Sequence, residues 1–142
     1  MYNQLAEILV KYASAGRHVR VGKLVNFKDF SGGYAYENAF GRRVVESFVK
    51  LFSSCPSDLL AATGLLCGRV LEYGDCSVEI DALLGIPLTF ILWVAEDDEL
   101  PPSAKVLFDE SAGCFLNVED LSWISDLTVW RLSVAKTLVK GK

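Results

Sequence analysis

Residues 74–94, GDCSVEIDALLGIPLTFILWV, decide the fold. Gly74-Asp75 is the strongest hairpin signal in the chain, because Gly and Asp adopt the turn whose twist matches antiparallel strands. It separates two predicted strands, residues 69–73 and 77–82. In the second, Val78 and Ile80 alternate with Glu79 and Asp81, the pattern of a half-exposed antiparallel strand. Residues 88–94 are continuously apolar and predict a central strand covered on both faces. Thr89, Ile91 and Trp93 then point one way, and Leu88, Phe90 and Leu92 the other. Residues 105–109 are a further strand candidate, reached through the charged turn Glu96-Asp97-Asp98-Glu99 and Pro101-Pro102.

Helical spacing brackets this strand-rich middle. Leu5, Ile8, Leu9 and Tyr12 predict a helix over residues 3–12. Residues 19–30 alternate, with Val19, Val21, Val25 and Phe27 on one side, and read as strand or extended loop until Ser31-Gly32-Gly33 breaks the chain. A second helix, 37–52, carries the stripe Phe40, Val44, Val45, Phe48, Val49 and Phe52. Ser57 and Asp58 read as the cap and first turn of a third, closed by Gly68. The last helix starts near Asn117 or Val118 and runs to about residue 139, with Leu121, Ile124, Leu127, Trp130 or Arg131, Val134 and Leu138 at helical spacing. The sum is an α+β domain: a mostly antiparallel sheet of three to five strands, with helices at its ends and on one face.

Composition agrees with one compact unit. The chain has 142 residues, of which 48 are Leu, Ile, Val or Phe, ample for a single core over residues 1–142 and too many for a disordered chain. Formal net charge is −4, unevenly spread: residues 1–50 carry +4 and residues 51–142 carry −8. An acidic chain with pI near 5.0 is no general nucleic-acid binder, yet its first third offers an anion a local basic patch. No apolar run is long enough for a membrane span, and no secretory leader is visible, so a cytoplasmic protein without membrane contact is expected. Cys55, Cys67, Cys76 and Cys114 lack metal-ligand or redox spacing and read as small buried hydrophobes.

The motifs that carry chemistry are sparse. GRHVRVGK (16–23) misses the phosphate-loop spacing, and Leu24 stands where Ser or Thr would hold magnesium. His18, the single histidine, has no ligating partner in sequence. No cofactor is expected and no catalytic residue is visible. The alternative metal set is Asp97, Asp98 and Asp109, drawn from the acidic residues of the second half, since hard cations want converging carboxylates. The expected binding surface is Lys23, Phe27, Gly32, Gly33, Tyr34, Tyr36 and Arg43: glycines admit close approach, tyrosines give contact area, and the cations attract an anion.

Three stretches, GKLVNFKDFSGGYAYENAF (22–40), GDCSVEIDALLGIPLTFILW (74–93) and LPPSAKVLFDESAGCFLNVEDL (100–121), in this order and spacing resemble an uncharacterised prokaryotic family, domain of unknown function 3786. The resemblance runs from about residue 5 to 132. Such a family is found mostly in anaerobic bacteria and archaea, and some relatives add an iron–sulfur domain. It implies redox or corrinoid-linked metabolism, with an iron–sulfur or corrinoid protein as partner. This chain departs from the pattern at Leu24, in place of an aromatic, at Gly85, in place of a basic residue, and at Val118, in place of a capping hydroxyl. Relatives often have a longer N-terminal region.

Three functional classes remain open. The first, favoured by the lack of a catalytic constellation, is a non-catalytic accessory domain that binds a small ligand or partner. The second is a metal-dependent enzyme using the acidic cluster, and the third a structural homo-oligomer.

Overall fold

The computed structural model describes residues 2–14, 20–96, 100–114 and 116–141. Five strands, β1 (Leu24–Asn26), β2 (Arg69–Leu71), β3 (Cys76–Leu83), β4 (Ile86–Trp93) and β5 (Ser103–Asp109), form one antiparallel sheet in the order β1-β5-β4-β3-β2. The helices are α1 (Tyr2–Ser14), α2 (Gly33–Phe40), α3 (Glu46–Phe52), α4 (Pro56–Leu65) and α5 (Val118–Lys140). This is an α+β fold with the apolar run at its centre: β4 has a strand on either side and is buried along residues 86–92. Among the described residues, no helix is long and apolar enough to cross a membrane.

The inner face of the sheet presents Val78, Ile80, Leu88, Phe90, Leu92, Val106 and Phe108 to the helices, all within one apolar cluster. Phe48 of α3 stacks on Phe90 at 4.9 Å between ring centres, which locks the helix over the middle strand. Phe40, Val44, Phe48 and Phe52 recur at every fourth residue, and all are buried. On a regular helix of about 3.6 residues per turn, each would lie about 40° beyond the last, so Phe52 would stand about 120° away from Phe40. The chain resolves this with a π turn, Gly41–Val45, between α2 and α3. Its wider turn takes up one more residue and rotates α3 back by about 100°. The helix starts at Gly33 rather than residue 37, because Gly32, at φ +81°, turns the chain there.

The other end of the helical layer differs from its sequence pattern. In α5 the buried line runs through Leu121, Ile124, Ser125, Thr128, Leu132 and Ala135, while Trp130, Val134 and Leu138 face out. Small residues let α5 approach its neighbours closely. The hydroxyls of Ser125 and Thr128 are satisfied by donating to the carbonyls of Leu121 and Ile124, each at 2.7 Å. Asn117 caps this helix by accepting the Asp120 amide at 2.9 Å, and buried Asp120 in turn accepts from Lys11 of α1 at 2.8 Å. Helix α4 begins with Cys55 as cap and Pro56 at its first position, not with Ser57 and Asp58. It ends at Leu65, three residues before the expected glycine. Cys67 takes the left-handed conformation at φ +57°, and the Gly68 amide donates to the Thr63 carbonyl at 2.9 Å. A side chain at Gly68 would collide with Thr63 and the Glu79 carbonyl, so the glycine serves close packing.

The outer face departs from its alternating pattern. Glu79 is buried rather than solvated, as are Ser77, Thr89 and Asp109 on the same side. Residues 20–22 cross this face and cover it. Arg20 donates to Glu79 Oε1 at 2.7 Å, and the Val21 and Gly22 amides donate to Asp109 at 3.0 and 2.8 Å. The extended segment expected over 19–30 is therefore split. Val21 is exposed, strand pairing is confined to β1, and Phe27–Asp29 form a 3-10 turn closed by Asp29, whose carboxylate accepts the Asn26 amide at 2.8 Å. Val19 lies outside the described residues. The cysteines are less buried than expected: all four are free thiols, with Cys67 and Cys114 exposed and Cys55 and Cys76 half-buried.

Candidate functional site

A groove runs between the α2–α3 helical segment and the first half of β5. It arises from a mismatch of lengths. β1 pairs only with Leu107, Phe108 and Asp109 of the seven-residue β5, and then the chain turns away at Phe27. Beside residues 103–106 no described strand takes its place. The π turn faces this gap. Two adjoining hollows of about 340 and 310 Å³ fill it, and both touch Val45 and Ala104. The first is walled by Val45, Val49, Pro102 and Ala104, with Glu46 and Lys50 at its mouth. The second has Phe27, Phe40 and Val106 at its base, with Lys28, Glu37 and Lys105 around it. Arg42 lines a third hollow continuous with both through Val45.

The electrostatics of this groove are distinctive. Lys28, Arg42, Lys50 and Lys105 are exposed, and no ion pair or side-chain hydrogen bond engages them among the described residues. Four cations against Glu37 and Glu46 leave the groove positive on a chain whose net charge is −4. Elsewhere Arg20 and Arg69 are held by Glu79, Lys11 by Asp120, and Lys140 by Asp58.

The residues expected from sequence to form one binding surface are dispersed. Phe27 is in the core, stacked on Phe40 at 4.2 Å with the rings 2° from parallel. Gly33 is buried as well, because a side chain there would meet the Phe27 carbonyl oxygen at 2.2 Å. Both leave the expected rim, since packing against the turn takes precedence over exposure. Gly32 and Tyr36 lie toward the start of α5: a side chain on Gly32 would touch Val118, and the Tyr36 hydroxyl donates to Glu119 at 3.0 Å. That hydrogen bond to the carboxylate raises the phenol's pKa above its usual value. Tyr34 is exposed. Lys23 pairs loosely with Glu110 at 3.5 Å beside β1, and Arg43 is exposed on the π turn. Of the seven, Phe27 alone lines the groove, from below. Lys28, Arg42, Lys50 and Lys105 escape a sequence reading as a set, because Lys105 lies far from the others in sequence and only sheet pairing brings it to the helix. The basic excess of residues 1–50 is the signal that points there.

Of the metal set, Asp97 and Asp98 lie outside the described residues. Asp109 is occupied as an anchor: its oxygens accept from the Val21, Gly22 and Ser111 amides, the last at 3.1 Å, and from the Ser111 hydroxyl. Burial pulls its pKa upward, but these donors outweigh it and hold the carboxyl below its usual range. Glu79 obeys the same logic. Burial raises its pKa, and the hydrogen bonds and charges of Arg20 and Arg69 bring it below normal.

Fold and groove together define an α+β domain with an open sheet edge beneath a basic helical flank. Residues 3–131 match the family model described as Domain of unknown function (DUF3786), and the chain belongs to that family. No curated protein and no solved structure matches it.

Proposed function

We propose that this domain is a non-catalytic binding module that docks an acidic partner in the groove between the π turn and β5. One observation carries the reading: among the described residues, Lys28, Arg42, Lys50 and Lys105, exposed and without an internal partner, gather around a single apolar-floored groove on an acidic chain. An apolar base with a charged rim is the arrangement that binds selectively, the base supplying area and the rim orientation. Asp109 gives the metal-enzyme alternative no support, since its oxygens are already satisfied. Iron–sulfur and corrinoid proteins, the partners implied by the family resemblance, are the first baits to try.

The test is an NMR titration of the labelled protein with a short glutamate-rich peptide. Amide shifts should concentrate at residues 28, 41–50 and 103–106, and a Lys28→Ala, Lys105→Ala double variant should lose them while keeping its circular dichroism spectrum. Shifts spread evenly, or the same in the variant, defeat the reading. A second reading, self-association, is favoured by the exposed stripe Trp130, Val134 and Leu138 on α5. Sedimentation of wild type and a Trp130→Lys variant decides it.

A further inference from the structure

We infer that the partner enters as a β-strand, pairing its main chain with the open edge of β5 beside Ala104. The inference rests on the groove being a partner site and adds how the partner is held. Alternation in β5 fixes which amides are on offer. The Glu110 amide donates to the Lys23 carbonyl at 2.9 Å, across the edge that β5 shares with β1. In an antiparallel ladder every second residue turns both its N–H and its C=O to the same edge. Phe108, Val106 and Ala104 therefore share the direction of Glu110, whereas Lys105 and Ser103 turn theirs to β4. Phe108 meets Val25, but Ala104 lies past the end of β1 and has no described strand opposite it.

An antiparallel segment placed there continues the line of β1 and extends an existing sheet, which is an established mode of peptide recognition. Its side chains are dictated by the pleat. The residue opposite Ala104 faces the helices and enters the hollow formed by Val45, Val49 and Pro102. Its neighbour, opposite Lys105, lies on the outer face beside the ammonium group, where a carboxylate is the complementary choice. The segment recognised is thus extended and alternates apolar with acidic residues. A second copy of this chain is a poor occupant, because pairing the edge with itself brings two positive flanks together. Lys105 and Pro102 deter like edges and admit an acidic one.

The probe is a blocked pentapeptide of alternating valine and glutamate, compared with two N-methylated forms. Methylating the valine nitrogens removes the donors that face β5, and should weaken binding by about tenfold or more. Methylating the glutamate nitrogens, which face away, should change affinity little. Hydrogen exchange at the Ala104 amide should slow with the unmodified and the glutamate-methylated peptides, and not with the valine-methylated one. A Lys105→Glu variant, altered at an exposed and unpaired position, should prefer the valine–lysine version of the peptide. Equal binding of all three valine–glutamate forms overturns strand addition while leaving acidic docking intact. Failure of every form to bind overturns both.

Discussion

Both faces of the sheet carry buried side chains, and they are buried by different means. On the inner face Phe90, Leu88 and Phe108 lie under helices and are held by apolar area and ring stacking. On the outer face Glu79 and Asp109 lie under three residues of irregular chain and are held by hydrogen bonds to charged groups. The inner face can tolerate a change of shape that keeps its volume, whereas the outer face needs every donor in place. A strap fastened at two carboxylates is also an element that acid can release, which a packed helix is not.

The comparison can be broken at either face. Phe90→Ala should have the largest effect, about 3–5 kcal/mol in denaturant melts, because the ring is fully buried against Phe48. A loss under about 1 kcal/mol would mean that the helices do not clamp the central strand. Asp109→Ala should cost about 2–3 kcal/mol by leaving the Val21, Gly22 and Ser111 amides without their acceptor. Hydrogen exchange at Gly22 should then rise well before exchange in β4, and simultaneous exposure would show the two faces to be one cooperative unit.

Acid sharpens the same contrast. Both carboxyls have pKa values below their unfolded references of 4.5 for Glu79 and 3.8 for Asp109. The stability they contribute is complete above those references and is lost as pH falls through the lowered folded values. Thermal melts should therefore hold steady from neutrality to about pH 5 and drop below about pH 4. Asp109→Asn, although less stable throughout, should show a shallower drop. The smallest effect belongs to neither face: Cys67→Gly should stabilise the fold by up to about 1 kcal/mol, since glycine adopts the left-handed cap without strain.

Legibility in the sequence divides along the same line. Residues 88–94 announce the central strand because an unbroken apolar run has few other uses, and Gly74-Asp75 announces the hairpin that joins β2 to β3. Asn117 likewise marks the start of α5. Glu79 is hidden because a charged residue alternating with valine and isoleucine looks solvated, and its cover comes from Arg20, 59 positions earlier. Trp130 and Val134 mislead for the opposite reason: their spacing is helical, but Ser125 and Thr128 carry the buried side through hydrogen bonds to their own helix. The groove depends on β1 being shorter than β5, a property of pairing that no local pattern encodes.

The π turn, finally, separates tolerance of identity from tolerance of length. Arg42 and Arg43 are exposed, and Gly41 has free space where a side chain would go, so many single replacements at these three positions should leave folding and stability unchanged in a mutational scan. Losing one codon is a different matter. A deletion between Gly41 and Val45 would restore a plain α-helix and swing everything beyond it by about 100°. Phe48 and Phe52 would leave their places under the sheet, and Val49 and Lys50 would leave the groove. A segment that looks permissive in a substitution library is thus among the least permissive to gaps, and alignments of related chains should show variable letters but fixed spacing across it.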